Sequence, residues 1–169
     1  MLKDIIILIL LVPYFKKLLY TQETKKTLYM INKVTTHWKG GMQFESDNPS
    51  GKTVIMDTDV AGSDERFGLS PKAMMLSSLA GCSGLDIVSV LEKMKVKDYD
   101  FNMVIEGELT DEHPKYYHTV TVDYHFYGDN LNENKIKKAV DLSVEKYCGV
   151  MEMFRHFATI KTNIFIHNE

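Results

Sequence analysis

The chain has 169 residues, 44% of them apolar and 25% charged, with a formal net charge of −3. These values suit one soluble globular domain with an ordinary core. Two arginines, Arg66 and Arg155, and no basic run interleaved with aromatics argue against a nucleic-acid partner.

Residues 1–29 differ in character from the rest of the chain. Ile5 to Val12 is an apolar run ended by Pro13, and Lys16, Lys17, Lys25 and Lys26 flank it. A bilayer span needs roughly 20 apolar residues, and no small-residue cleavage site follows. The segment reads as an extension upstream of a start at Met30, as a membrane-surface anchor, or as part of the fold. Residues 30–169 read as one domain, with no membrane association unless residues 1–29 supply it.

Ile31 to Trp38 is rich in β-branched and aromatic residues and predicts a strand. Gly40-Gly41 marks a turn, Met42 to Glu45 a partner strand, and Asn48-Pro49-Ser50-Gly51 a second turn. Lys52 to Met56 predicts a third strand, and Asp57 to Leu69 a loop. Ser70-Pro71 then supplies a helix start, serine as N-cap and proline in the first turn. A helix is predicted through Lys95, roughly 37 Å long at 1.5 Å per residue. Leu76, Leu79, Cys82, Leu85, Ile87, Val88 and Leu91 spread around most of its circumference. Such a helix is buried in a core or an interface, and its length suggests that a partner subunit covers part of it.

Phe101 to Leu109 and Tyr116 to Tyr127 alternate as strands. In the second, Val120, Val122, Tyr124 and Phe126 share one face. Asn132 to Tyr147 predicts an amphipathic helix, with Cys148 at its end and Gly149 as its C-terminal cap. Val150 to Phe157 predicts a short helix and Thr159 to Ile166 a closing strand. The order β-β-β-α-β-β-α-α-β describes an α+β domain with an antiparallel sheet and a long buried central helix.

Chemistry concentrates on the two cysteines, 66 positions apart. With no C-x-x-C and no Cys/His pair at metal-ligand spacing, neither a structural metal site nor a cofactor is predicted. Two cysteines do not make a secreted disulfide framework, so a reducing, cytoplasmic setting is expected. Cys82 lies in "LAGCSGLD". Gly81 and Gly84 bare the backbone beside it, Ser78 and Ser83 offer hydroxyls to a thiolate, and Asp86 shares its helix face. The Asp86 charge would raise the thiol pKa. Cys82 reads either as a reactive thiol or as a small buried hydrophobe. Cys148, at a helix C-terminus that disfavours a thiolate, reads as a resolving partner or a structural residue. A pairing of Cys82 with His125 stays open. Met74, Met75, Met94, Met151 and Met153 are expected to fill the core.

The segments "GLSPKAMMLSSLAGCSGLDIVSVLEKMKV", "DEHPKYYHTVTVDYHFYG" and "AVDLSVEKYCGVMEMF" together resemble the OsmC/Ohr family of thiol-dependent peroxidases, in its branch with the second cysteine in a "KYC" segment. The resemblance runs in order from Met30 to Glu169. It implies an intertwined homodimer with active sites at the subunit interface. It also implies Cys82 as peroxidatic residue, Cys148 as resolving residue, an organic or hydrogen peroxide substrate, and an external dithiol reductant. Two positions depart from the family pattern. Met42 stands where an arginine follows the Gly-Gly turn, and Lys72 where a glutamate follows the helix-starting proline. Arg66, Lys72 and Asp86 are the candidate assisting residues. The departures support a second reading, a non-enzymatic dimeric protein that senses redox state or binds an apolar ligand.

Overall fold

In the computed structural model, which describes residues 30–58 and 67–168, contacts divide the chain into Met1–Val34 and Thr35–Glu169. The predicted extension, residues 1–29, and Arg66 lie outside the described residues. The second unit begins with an antiparallel three-stranded sheet of β1 (Thr36–Gly40), β2 (Gln43–Asp47) and β3 (Thr53–Met56). Gly40 and Gly41 turn the first hairpin with φ of +108° and +55°, values that favour glycine. Trp38 Nε1 donates to the Gly41 carbonyl across this turn (2.9 Å).

The first strand is shorter than its composition predicts. Thr36 pairs with Ser46, and the Thr35 amide donates to Asp47 Oδ1 (2.6 Å). Beyond Asp47 the pairing strand enters the Asn48–Gly51 turn, so among the described residues no strand stands opposite residues 31–34. β-Branched residues do not make a strand without a ladder to join.

A short parallel bridge between Met56 and Leu69 ties the end of the first sheet to the start of α1 (Pro71–Lys93). Ser70 stands at the N-cap with extended backbone, but its side chain makes no capping hydrogen bond. The first-turn proline is the stronger start signal. By length and apolar composition α1 is long enough to cross a bilayer. Leu79, Ser83, Gly84, Ile87, Val90 and Leu91 are its buried residues. Its neighbours are β4 (Asp100–Leu109), α2 (Glu133–Leu142), the π-helical turn Ser143–Tyr147 and α3 (Gly149–Arg155). On the opposite side Gly81, Leu85 and Ser89 are exposed, Leu85 to 75%.

The second sheet has the order β4-β5-β6, with β5 at Tyr117–Tyr127 and β6 at Thr159–His167. Val120, Val122, Tyr124 and Phe126 are all fully buried, as their alternation predicts. They form the core with Leu79, Ile87, Leu91, Ile136, Ala139, Met151 and Phe154. Burying each large apolar side chain contributes about 1.5–3 kcal/mol.

The α+β class and the element order hold, while the predicted antiparallel sheet is corrected. There are two three-stranded sheets, and β5 pairs with β6 in parallel. The helices between them form the crossover that parallel strands require.

The helix predicted over Asn132–Tyr147 is also corrected. The Asn132 side chain caps α2 by accepting from the Lys135 amide (3.0 Å), but α-helical geometry ends at Leu142. The next turn widens to π geometry, and the Cys148 amide donates to the Ser143 carbonyl (2.9 Å). Such single π turns interrupt α-helices frequently at functional sites. Gly149 is therefore the first residue of α3, not a left-handed cap. Of the helical methionines predicted as core, Met151 is buried, whereas Met75 and Met153 are exposed.

Candidate functional site

Cys82 occupies the middle of α1, partly buried against the core. Cys148 sits where the π turn hands over to α3, and only 4% of it is exposed. Both thiols are free. Their Sγ atoms and a carboxylate oxygen of Asp86 all lie within 4.8 Å of one another. Residues 66 apart in sequence thus meet in one nook, with Asp86 one helical turn beyond Cys82 on the same face.

Three buried hydroxyls hold this arrangement. Ser83 Oγ lies 2.8 Å from Tyr124 Oη and 3.0 Å from Ser143 Oγ. Ser143 Oγ also donates to the Ser83 carbonyl (3.2 Å). One assignment uses every proton: Tyr124 donates to Ser83, Ser83 to Ser143, and Ser143 to the carbonyl. The cluster joins α1, β5 and the first residue of the π turn. Burial pushes the Tyr124 phenol above its ordinary range, against a smaller downward pull from its Ser83 hydrogen bond. Leaving any member without its partner costs about 1–3 kcal/mol.

The sequence offers Ser78 and Ser83 to a thiolate; both are committed elsewhere. Ser78 Oγ donates to the Met74 carbonyl (2.9 Å) within its own helix, and Ser83 belongs to the hydroxyl cluster. Local spacing does not reveal Tyr124 and Ser143 as polar partners. Their signal is a hydroxyl on the buried face of the alternating strand and another within the predicted amphipathic helix, which need partners when buried. Gly84 admits the Met103 side chain from β4: a Cβ there would come within 2.8 Å of Met103 Cε. A Cβ on Gly81 would meet nothing within 4 Å among the described residues.

The electrostatics distinguish the two thiols by position. Burial pushes the Cys148 thiol up to about 11. The Met151 amide, donating to Cys148 Sγ (3.3 Å), opposes this by favouring the thiolate. A hydrogen bond with Cys82 and the negative charges of Cys82 and Asp86 push the value up again. Cys148 is thus held as a neutral thiol at neutral pH, chiefly by desolvation. Its position at a helix C-terminus explains less than predicted, because the same residue caps the start of α3.

Asp86 Oδ2 is buried and has no hydrogen-bond partner among the described residues. Among the described residues Asp86 forms no ion pair. It borders a cavity of about 280 Å³ that Ser89, Val90, Lys93 and Tyr147 also line. Lys72 is exposed in the first turn of α1. Ten residues separate it from Cys82, about 15 Å along the helix axis. Met42 is half exposed on the first hairpin. His125 is not paired with Cys82. It faces the other side of β5, stacked on Phe165 (4.7 Å between ring centroids) and 3.1 Å from His167 Nε2.

The raised Cys148 value predicts an alkaline loss of stability. Below about pH 9 the thiol is neutral in folded and unfolded chains alike. Between about 9 and about 11 only the unfolded chain releases the proton, so unfolding becomes easier as pH rises. Denaturant titrations of the reduced protein at about pH 8 and about pH 10.5 should show a loss roughly 1–2 kcal/mol larger for wild type than for Cys148→Ser. Equal losses would contradict the buried neutral thiol.

Comparison with known proteins places this geometry in context. Residues 62–163 match the family described as OsmC-like protein. Protein YhfA of Escherichia coli strain K12 is 31% identical over 123 residues, covering 73% of this chain and 89% of YhfA. A crystal structure of a hypothetical protein from Aquifex aeolicus VF5 superposes with a TM-score of 0.73 at 25% identity, over 83% of this chain and 99% of that one. A Legionella pneumophila structure described as an organic hydroperoxide resistance protein OsmC shares the fold, with a TM-score of 0.57 at 21% identity over 83% and 99% of the two chains. The chain belongs to the OsmC-like protein family.

Proposed function

We propose that this protein is a thiol-dependent peroxidase, in which Cys82 reduces an organic or hydrogen peroxide and Cys148 resolves the product. The observation that carries the reading is the meeting of a partly accessible thiol and a buried one within 4.8 Å. Family membership and a fold shared with a protein described as a hydroperoxide resistance protein support a role in redox stress.

In the first step the Cys82 thiolate attacks the distal peroxide oxygen. The O–O bond breaks, the alcohol (or water) leaves with a proton, and Cys82 becomes a sulfenic acid. In the second, Cys148 Sγ attacks the Cys82 sulfur. An S–S bond forms, and the thiol proton of Cys148 leaves with the hydroxyl as water. Asp86 lies close enough to both sulfurs to relay that proton. An external dithiol restores both thiols by exchange. Dispositions match roles: the half-buried residue meets substrate, and the buried neutral thiol waits for the sulfenic acid. Reduced cysteines fit a cytoplasmic setting.

The same reading includes a homodimer. Leu85 is 75% exposed on the central helix, next to the open surface at Gly81 and one turn from Cys82. An exposed leucine on a helix this long and apolar supports packing against a second chain. A second copy packed there would border the thiol nook and complete its walls.

A second reading keeps the dimer and the thiol pair but not turnover: a redox sensor or apolar-ligand binder. Met42 and Lys72 favour it, because neither can take the part of an arginine–glutamate pair.

Two measurements test these proposals. With a dithiol reductant, wild type should consume cumene hydroperoxide catalytically, and Cys82→Ser should be slower by about 100-fold or more, an order-of-magnitude expectation for loss of a nucleophile. Equal rates would remove Cys82 from the chemistry, and a single turnover without recycling would favour the sensor. In light scattering after gel filtration, wild type should have the mass of two chains and Leu85→Arg the mass of one. A monomeric wild type would refute the dimer.

A further inference from the structure

We propose that Cys82, Cys148 and Asp86 also form a binding site for a thiophilic divalent cation of the zinc class. Spacing along the chain hides this site, because its ligands come from α1 and from the junction of the π turn with α3.

Two independent observations carry the inference. The three ligand atoms, two sulfurs and one carboxylate oxygen, lie within 4.8 Å of one another. Tetrahedral zinc, with Zn–S bonds near 2.3 Å, holds its sulfurs about 3.8 Å apart, so the nook needs only a small contraction. Asp86 Oδ2 is buried without a hydrogen-bond partner among the described residues, an oxygen that lacks what a cation would provide.

The surroundings have the other features of a metal site. The Met151 amide donates to Cys148 Sγ (3.3 Å), an orienting contact of the kind that fixes ligand geometry. The hydroxyl cluster holds α1 to the π turn, so the ligand positions do not depend on the ion for their folding. The cavity beside Asp86 gives a route from solvent. Three protein ligands would leave the fourth position to water, as in open zinc sites.

Binding converts both S–H groups to metal–sulfur bonds and releases two protons. No electron moves. The ion and the Cys82–Cys148 disulfide exclude one another, since both use the same sulfurs. Zinc would therefore hold the pair reduced, and oxidation would release it.

The site is tested without peroxide, so its failure leaves the peroxidase reading standing, and an enzyme inert to peroxide could still bind the ion. Reduced, chelator-stripped full-length protein is titrated with Co²⁺ as a visible probe. One equivalent per chain should produce a thiolate-to-cobalt charge-transfer band, and Zn²⁺ should abolish it by displacement. Zn²⁺ should also protect both cysteines from alkylation. Asp86→Asn, which keeps the side chain's shape, should weaken Zn²⁺ binding about 10-fold or more. Absence of the charge-transfer band would overturn the proposal, as would Zn²⁺ affinity unchanged in both Asp86→Asn and Cys82→Ser.

Discussion

The contact among Ser83, Tyr124 and Ser143 is the constraint on which the thiol site depends. Each hydroxyl sits one step from a feature that matters. Ser83 follows Cys82 on α1. Ser143 opens the π turn whose closing hydrogen bond is made by the Cys148 amide. Tyr124 is fully buried on the central strand of the second sheet. Pinning these three together sets the separation of two cysteines that share no element. The cluster is stable only because every proton in it finds an acceptor; in a dry core a half-satisfied version would be worse than an apolar one.

The same geometry explains why the two thiols differ. Cys82 lies on the side of the cluster where Gly81 and Leu85 are exposed. Cys148 lies beneath, capped by the Met151 amide and kept neutral by burial. A neutral buried thiol is a poor first nucleophile but needs no activation beyond the electrophilic sulfur of a sulfenic acid beside it. Asp86 carries the second use proposed for the same nook, through a buried oxygen without a hydrogen-bond partner among the described residues.

Much of this is legible in the residues. Alternation places Val120, Val122, Tyr124 and Phe126 on one buried face, because period-two patterning is a direct record of a half-buried strand. Proline at the start of α1 and apolar residues around it locate the central helix. The features that escape have non-local causes. Nothing in Thr159–Ile166 says whether it pairs in parallel, since pairing direction is decided by the crossover. The π turn adds one residue to a helical period of 3.6, a change too small to see in a sixteen-residue pattern. Composition overestimates the first strand because its ladder ends where its partner turns. The serines near Cys82 suggest a thiolate contact because local spacing cannot show a tyrosine 41 positions away.

If Cys82 and Cys148 form one redox unit, as proposed, mild oxidation joins them in a disulfide. Intact-mass spectrometry of the reduced protein after mild treatment with hydroperoxide tests it most directly. A loss of about two mass units per chain is expected, from the two thiol hydrogens given up in a disulfide. The loss should be absent from Cys148→Ser, which should gain about sixteen as the sulfenic acid. No mass change in wild type, or an oxygen retained on wild type with both thiols present, would contradict it.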